Sequence, residues 1–361
     1  KHLTICSSEF GKEHVNLIHR LNLETLVNKN SNTPGFTLKF KTLKNLEVWD
    51  ISDFDITDCP ALENIITVCF SERTYKAANL KSIKIRGNTD VDELSNWPVT
   101  ELRIKPRSLL DAIEFPLDTL TLEVDENPNK SISILKKTKL KSLSIQFHHS
   151  DDHKVKIRHD IDLPSLRSLE LESVELSLNK LKCLTGLTEL SLDNCSLECD
   201  AFEHISRLPI TKLSLSRIKI DLSELRKFKL RYLTLYDCEI IGRMYFPKTL
   251  RHLEIMGENT IIDEMPNIAL DTLKICSTDP SNPIKITNDG LAAISKLPIT
   301  VLELTECGLN DDNIGYLADM QINQLSIEGN DITIVGVRKL KRLPLRKLEV
   351  STVPLLHMSL F

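Results

Sequence analysis

Apolar residues recur along this chain in a fixed phrase: one apolar position, another three residues later, and a third two residues after that. Leu187, Leu190, Leu192 and Leu197 state the phrase in full, with Cys195 between the last two. Alternation of this kind predicts a short strand, because successive side chains in a strand point to opposite faces. The central leucine and the residue two later then face a core, and their neighbours face away. With the central residue as anchor, the phrase returns at Leu3, Leu26, Leu46, Ile65, Ile83, Leu102, Leu120, Leu143, Leu169, Leu190, Leu213, Leu233, Leu253, Leu273, Leu302, Leu325 and Leu348. Seventeen strands are expected.

The anchors are 18 to 29 residues apart, so each strand is followed by a short return segment. Between Ile65 and Leu120 the spacing is only 18 or 19, which predicts extended or 3-10 returns. The longer repeats have room for a helix. Segments 199–208, 290–297, 312–320 and 335–343 carry apolar residues at helical spacing, and Pro209, Pro298 and Pro344 stop three of them before the next strand.

The phrase L-x-x-L-x-L-x-x-N/C-x-L at this period resembles the leucine-rich-repeat family. The resemblance implies an α/β fold: a right-handed solenoid, horseshoe or arc, with a parallel concave β-sheet of about 17 strands and a convex side of mixed helix, 3-10 and extended segments. A lone repeat cannot bury its apolar face, so stacking on neighbours supplies the core. The expected organisation is one domain over 1–361, with irregular short repeats at 46–120, regular longer ones at 169–350 and a tail at 351–361. Because Leu3 already lies in a repeat strand, an N-terminal cap or domain upstream is expected.

The last repeats resemble the bacterial GALA-type and ribonuclease-inhibitor-like subfamily. The matching residues are Cys307, Gly308, Leu309, Asn310, Asp311 and Asp312 with Ile314 to Ala318, then Asn330 to Thr333 with Gly336 and Val337. That resemblance implies an interaction scaffold of the kind found in secreted effectors acting in a host cytoplasm, some with an F-box upstream. The alternative is the substrate-targeting half of a ubiquitin ligase or other enzyme whose remaining segments lie outside 1–361.

Composition narrows the function classes. With 46 Lys and Arg against 51 Asp and Glu, the net charge of −5 gives no overall field for nucleic acid or anionic lipid. No apolar run is long enough to span a bilayer, so membrane insertion is not expected. The nine cysteines are odd in number and fall at repeat-core positions, which predicts free thiols in a reducing, cytoplasmic compartment. Nucleophile-elbow, phosphate-loop, zinc-protease and dinucleotide motifs are all missing from the sequence, so neither an enzyme nor a cofactor is expected.

Cys195, Cys238 and Cys307 each stand five residues after an anchor, where Asn330 stands in its own repeat. An inward polar side chain there is expected to satisfy backbone groups as the chain leaves the strand. The cluster His148, His149, Asp151, Asp152 and His153 reads either as a metal or pH-sensitive contact or as a solvated loop. A second enlarged loop, 277–283, leaves the strands at the same edge. The two loops either frame a binding site or are tolerated insertions.

The concave face is read from the residues one before, one after and three after each anchor. It carries Trp49 and a basic stretch of Lys84, Arg86, Arg103 and Lys105. An acidic stretch of Glu123, Glu170, Glu172, Glu189 and Asp193 follows, and then an aromatic patch of Tyr232, Tyr236, His252 and Met256. Exposed Tyr, Trp and Met on a rigid strand face are the residue types that anchor protein interfaces. The expected partner is therefore a protein bound by a monomer, with nucleic acid disfavoured by the acidic neighbours.

Overall fold

A computed structural model describes residues 1–6, 12–29, 36–51, 54–69, 79–89, 99–106, 117–124, 135, 138–147, 154–158, 160–197 and 201–350. The chain divides into two compact units, Lys1–Gly186 and Leu187–Phe361. In the first, parallel strands run in chain order through His2–Ile5, Thr25–Asn28, Asn45–Asp50, Asn64–Cys69, Ser82–Thr89, Glu101–Pro106, Thr119–Val124, Ser142–Phe147 and Ser168–Glu172. In the second they are Glu189–Asp193, Lys212–Ser216, Tyr232–Tyr236, His252–Gly257, Thr272–Ser277, Val301–Thr305, Gln324–Ser326 and Lys347–Glu349. These are the seventeen strands that the anchors require.

Within each unit every anchor lies opposite the next, as Leu46 does to Ile65, Leu120 to Leu143, Leu213 to Leu233 and Leu302 to Leu325. That register follows from burial, since a slip of one residue would turn the leucines to solvent. Leu190, Leu192, Leu213, Leu215, Leu233 and Leu235 are buried, as are Leu187, Ile210 and Leu230, three residues before their anchors. At the N-terminal ends of the strands one carbonyl serves two donors of the following repeat. Arg251 N and His252 N donate to Arg231 O at 3.0 and 2.9 Å, and Glu24 O, Lys44 O and Thr211 O do the same in their repeats.

At the other end the backbone turns through the left-handed region four residues after the anchor. Ser173, Asn194, Arg217, Asp237 and Glu306 have φ between 47° and 55°, and Gly329 takes the same place with φ 68°. Such residues carry a steric penalty that the surroundings must offset. Here the offset is a hydrogen bond to the next repeat: Asn194 N to Ser216 O, Arg217 N to Tyr236 O, Asp237 N to Met256 O and Glu306 N to Glu328 O, at 2.8 to 2.9 Å.

Beyond this turn lies a second row of short parallel strands that the sequence pattern does not reveal, being only two or three residues long. In the first unit Val155–Ile157 pairs with Val174–Leu176. Lys219–Asp221 pairs with Glu239–Ile241, and Ile261–Ile262 with Lys285–Ile286.

Three of the expected return helices are present, at Ala201–Ile205, Asn288–Ile294 and Ile334–Lys339. The Thr287 and Thr333 hydroxyls cap the last two by accepting from Gly290 N and Val335 N. Segment 312–320 instead carries a 3-10 turn, Ile314–Leu317. Asn310 Oδ1 accepts from the Asp312 and Asn313 amides, and this local turn displaces the first turn of an α-helix. The short returns at 70–78, 90–98 and 107–116 lie outside the described residues. No helix among the described residues is long and apolar enough to cross a membrane.

Candidate functional site

The cysteine and asparagine positions form a ladder that closes the core where the chain leaves the strands. Cys238 Sγ donates to Leu215 O in the preceding repeat at 3.3 Å and Cys307 Sγ to Ile275 O at 3.2 Å. Cys195 Sγ reaches Asp193 O at 3.4 Å in its own repeat. Asn330 does more. Its Nδ2 donates to Leu304 O, Ile327 O and Glu328 O at 2.7 to 3.1 Å, while Oδ1 accepts from Cys307 N and Leu309 N at 3.0 Å.

Burial pushes the Cys59, Cys238 and Cys307 thiols up in pKa, and burial beside Glu303 raises Cys276 to about 12. A thiol so shifted stays protonated at neutral pH and is a poor nucleophile. Among the described thiols, iodoacetamide at mildly alkaline pH is therefore expected to modify exposed Cys6 first. Cys59, Cys195 and Cys307 should be modified only on unfolding, as read by mass spectrometry of the native and denatured chain.

The first unit presents Trp49, 45% exposed, and the basic stretch on the open faces of its strands. The basic stretch is not a free positive field. Arg86 pairs with Glu47 at 2.9 Å, and Arg103 Nε pairs with Glu123 at 2.6 Å while its Nη2 donates to Gln146 at 3.1 Å. Burial, with Arg103 and Arg86 alongside, lowers the Lys84 pKa. Lys105 shares the Arg103 strand, and Glu170 and Glu172 stand on Ser168–Glu172. Along the chain these charges fall into blocks, but strands one or two places apart in the sheet bring opposite signs together.

The second unit holds the aromatic patch. Tyr232 and His252 are register partners on adjacent strands, and their rings stack at 4.4 Å with an interplanar angle of 4°. Tyr232 is 45% exposed, so one face of the stack is open to a partner. Tyr236 and Met256 face each other in the same pair of strands. Around the patch the charges are again paired: Glu189 with Lys212 at 3.4 Å, Asp193 with Arg217 at 2.9 Å and Lys274 with Glu303 at 3.2 Å. Between the Tyr232–His252 and Tyr236–Met256 pairs, on the same face, stand Thr234 and Glu254, hydrogen-bonded at 3.4 Å, so a polar step separates the stacked rings from Tyr236 and Met256.

At the strand ends, loop 277–283 is a built structure. Asp279 accepts from Ser281 N at 2.8 Å and from Asn282 Nδ2 at 3.1 Å, and Ser277 Oγ accepts from Ile284 N at 3.3 Å. Pro280 and Pro283 of this loop wall a cavity of about 390 Å³ with Leu309, Asn310 and Asp331. A larger cavity of about 580 Å³ lies between Asp237–Ile240 and Glu258–Ile261, in repeats whose ordinary length gave no signal of it. The cluster at His148, His149, Asp151, Asp152 and His153 lies outside the described residues. Among the described residues no group of three or more His, Cys, Asp or Glu is placed to hold a metal.

No family profile and no curated protein sequence matches the chain. Solved structures do. A TLR13–ssRNA13 complex matches with a TM-score of 0.59 at 16% identity, over 94% of this chain and 58% of that one. An internalin from Listeria monocytogenes matches with a TM-score of 0.38 at 14% identity, over 92% of this chain and 81% of that one. This chain thus spans little more than half the length of TLR13 in that structure. The likeness to TLR13 is one of fold: parallel strands, inward anchors and stacked repeats make this chain a leucine-rich-repeat solenoid.

Proposed function

We propose that this chain is a non-enzymatic scaffold that binds a protein partner through the open face of its strands and the loops at their C-terminal ends. One observation carries the reading: the stacked Tyr232 and His252 rings, with Tyr236 and Met256 four residues further along the same strands, stand part-exposed on rigid strands among paired charges. Large, preorganised aromatic side chains lose little entropy on binding and dominate interface energetics. The GALA-like residues of the C-terminal repeats favour an adaptor or substrate-recognition module, of the type that bacterial effectors deliver into a host cytoplasm.

Single-stranded RNA, the ligand named for the TLR13 complex, suits this surface poorly. Arg86 and Arg103 are already held by Glu47 and Glu123, and binding of nucleic acid rests on cations available to phosphate. Joint Tyr232→Ala and Tyr236→Ala substitution is expected to weaken the captured protein partner roughly tenfold or more. Affinity capture followed by titration of the identified partner measures this. Undiminished affinity in the double variant would remove the aromatic patch from the interface.

A further inference from the structure

The second row of short strands is interrupted beside the larger cavity. Glu239–Ile241 pairs backwards with Lys219–Asp221, and Ile261–Ile262 pairs forwards with Lys285–Ile286, but the two are not paired with each other. Hydrogen bonding fixes which way each peptide group points. Glu239 N donates back to Ile218 O, so by the alternation of a parallel ladder the Ile240 peptide groups point forward. Lys285 N donates to Thr260 O and Thr287 N to Ile262 O, so the groups of Ile261 point back. Two strand edges therefore face each other across the cavity without ladder pairing, and such an edge is a template for another extended chain.

The walls specify what that chain should carry. Of the side chains lining the cavity, Asp237, Glu239, Glu258, Asp263 and Glu264 are carboxylates and Arg217 is the cation. Arg217 is engaged by Asp193 at 2.9 Å, and Glu239 is engaged by Lys219. Asp237 Oδ1 is buried against Gly257 of the next repeat, leaving Glu258 and Asp263 as carboxylates that stand exposed at the cavity outside these ion pairs. Ile261 is 64% exposed and Ile241 42% exposed at the same edges, so apolar contact is on offer next to negative charge. A volume of about 580 Å³ falls in the range that holds a ligand segment.

Resting on the reading of the chain as a protein-binding scaffold, we propose that the cleft between Glu239–Ile241 and Ile261–Ile262 receives an extended, basic segment of a partner protein, with lysine or arginine alternating with apolar residues. The segment would add a strand to the open edges, place its cations against the exposed Glu258 and Asp263 with Glu264, which also accepts from Met244 N at 3.3 Å, and lay its apolar side chains on Ile241 and Ile261. Phosphate-bearing partners are excluded by the same carboxylates.

Selection from a library of short random peptides against the full chain tests this directly. The expected winners alternate Lys or Arg with apolar residues and bind more weakly at raised salt. Their affinity, read by fluorescence anisotropy, should fall roughly tenfold or more in D263K/E264K, two exposed positions where charge reversal spares the core. N-methylation of alternate peptide groups should abolish binding in one register and spare it in the other. Tyr232→Ala with Tyr236→Ala should leave peptide binding intact, so loss of the aromatic patch and loss of the cleft are told apart. No enriched peptide, winners without a basic bias, equal affinity for the D263K/E264K chain, or indifference to N-methylation register would each overturn the proposal.

Discussion

Replacing Asn330 with alanine is expected to destabilise the second unit by about 3–5 kcal/mol, far more than a surface substitution. The side chain accepts from Cys307 N and Leu309 N and donates to Leu304 O, Ile327 O and Glu328 O. Removing it strands backbone groups that water reaches poorly, at about 1–3 kcal/mol for each one left unpaired. Denaturant unfolding of the full chain measures the total, and hydrogen exchange at Cys307 and Leu309 locates it. Asn330→Cys should recover part of the loss, because Cys238 and Cys307 already serve two carbonyls each from the same position. Equal stability of the alanine and wild-type chains would mean that the ladder is incidental to the fold.

Gly290→Ala is expected to cost about 2–3 kcal/mol by overpacking. Gly290 is buried in the first turn of the Asn288–Ile294 helix, and a Cβ there would sit 2.2 Å from Ile262 O and 3.2 Å from Ile286 Cγ2. The obstacle is backbone of the preceding repeat, itself fixed because Ile262 O accepts from Thr287 N at 3.0 Å. The strand cannot yield without breaking that bond. Gly308→Ala, at φ 71° with open space around it, is the informative contrast: its cost is conformational, about 1 kcal/mol, and steric collision plays no part. Thermal melting of both variants separates the two causes, and an unchanged melting temperature for Gly290→Ala would show that the repeats shift apart freely.

Much of the fold was legible because burial imposes a period. From Leu26 to Leu325 the anchors and the residues two later are buried, while Leu3 is part-exposed and Leu348 is 37% exposed, and anchor opposes anchor in the register of each unit. The inward role of Cys195, Cys238, Cys307 and Asn330 was equally readable, since each stands five residues after its anchor, at Leu190, Leu233, Leu302 and Leu325. The return segment at 312–320 was misread as a helix because Asn310 organises a local turn that apolar spacing does not encode.

The surface was less legible. Trp49 and Tyr232 are 45% exposed and Tyr236 and Met256 part-exposed, but the basic stretch reads differently once Arg86 meets Glu47 and Arg103 meets Glu123. Those partners are 39 and 20 residues apart in the chain; Arg103 and Glu123 meet on paired strands, and Arg86 reaches Glu47 across the intervening Asn64–Cys69 strand.

The sequence by itself determined the repeat, the strand count and the inward and outward faces, because each depends on local alternation and on hiding leucine from water. Tertiary structure alone decided which charges cancel, which rings stack and where the second row of strands breaks. Those outcomes depend on how one repeat lies against the next, a relation between residues about twenty positions apart that no local pattern records.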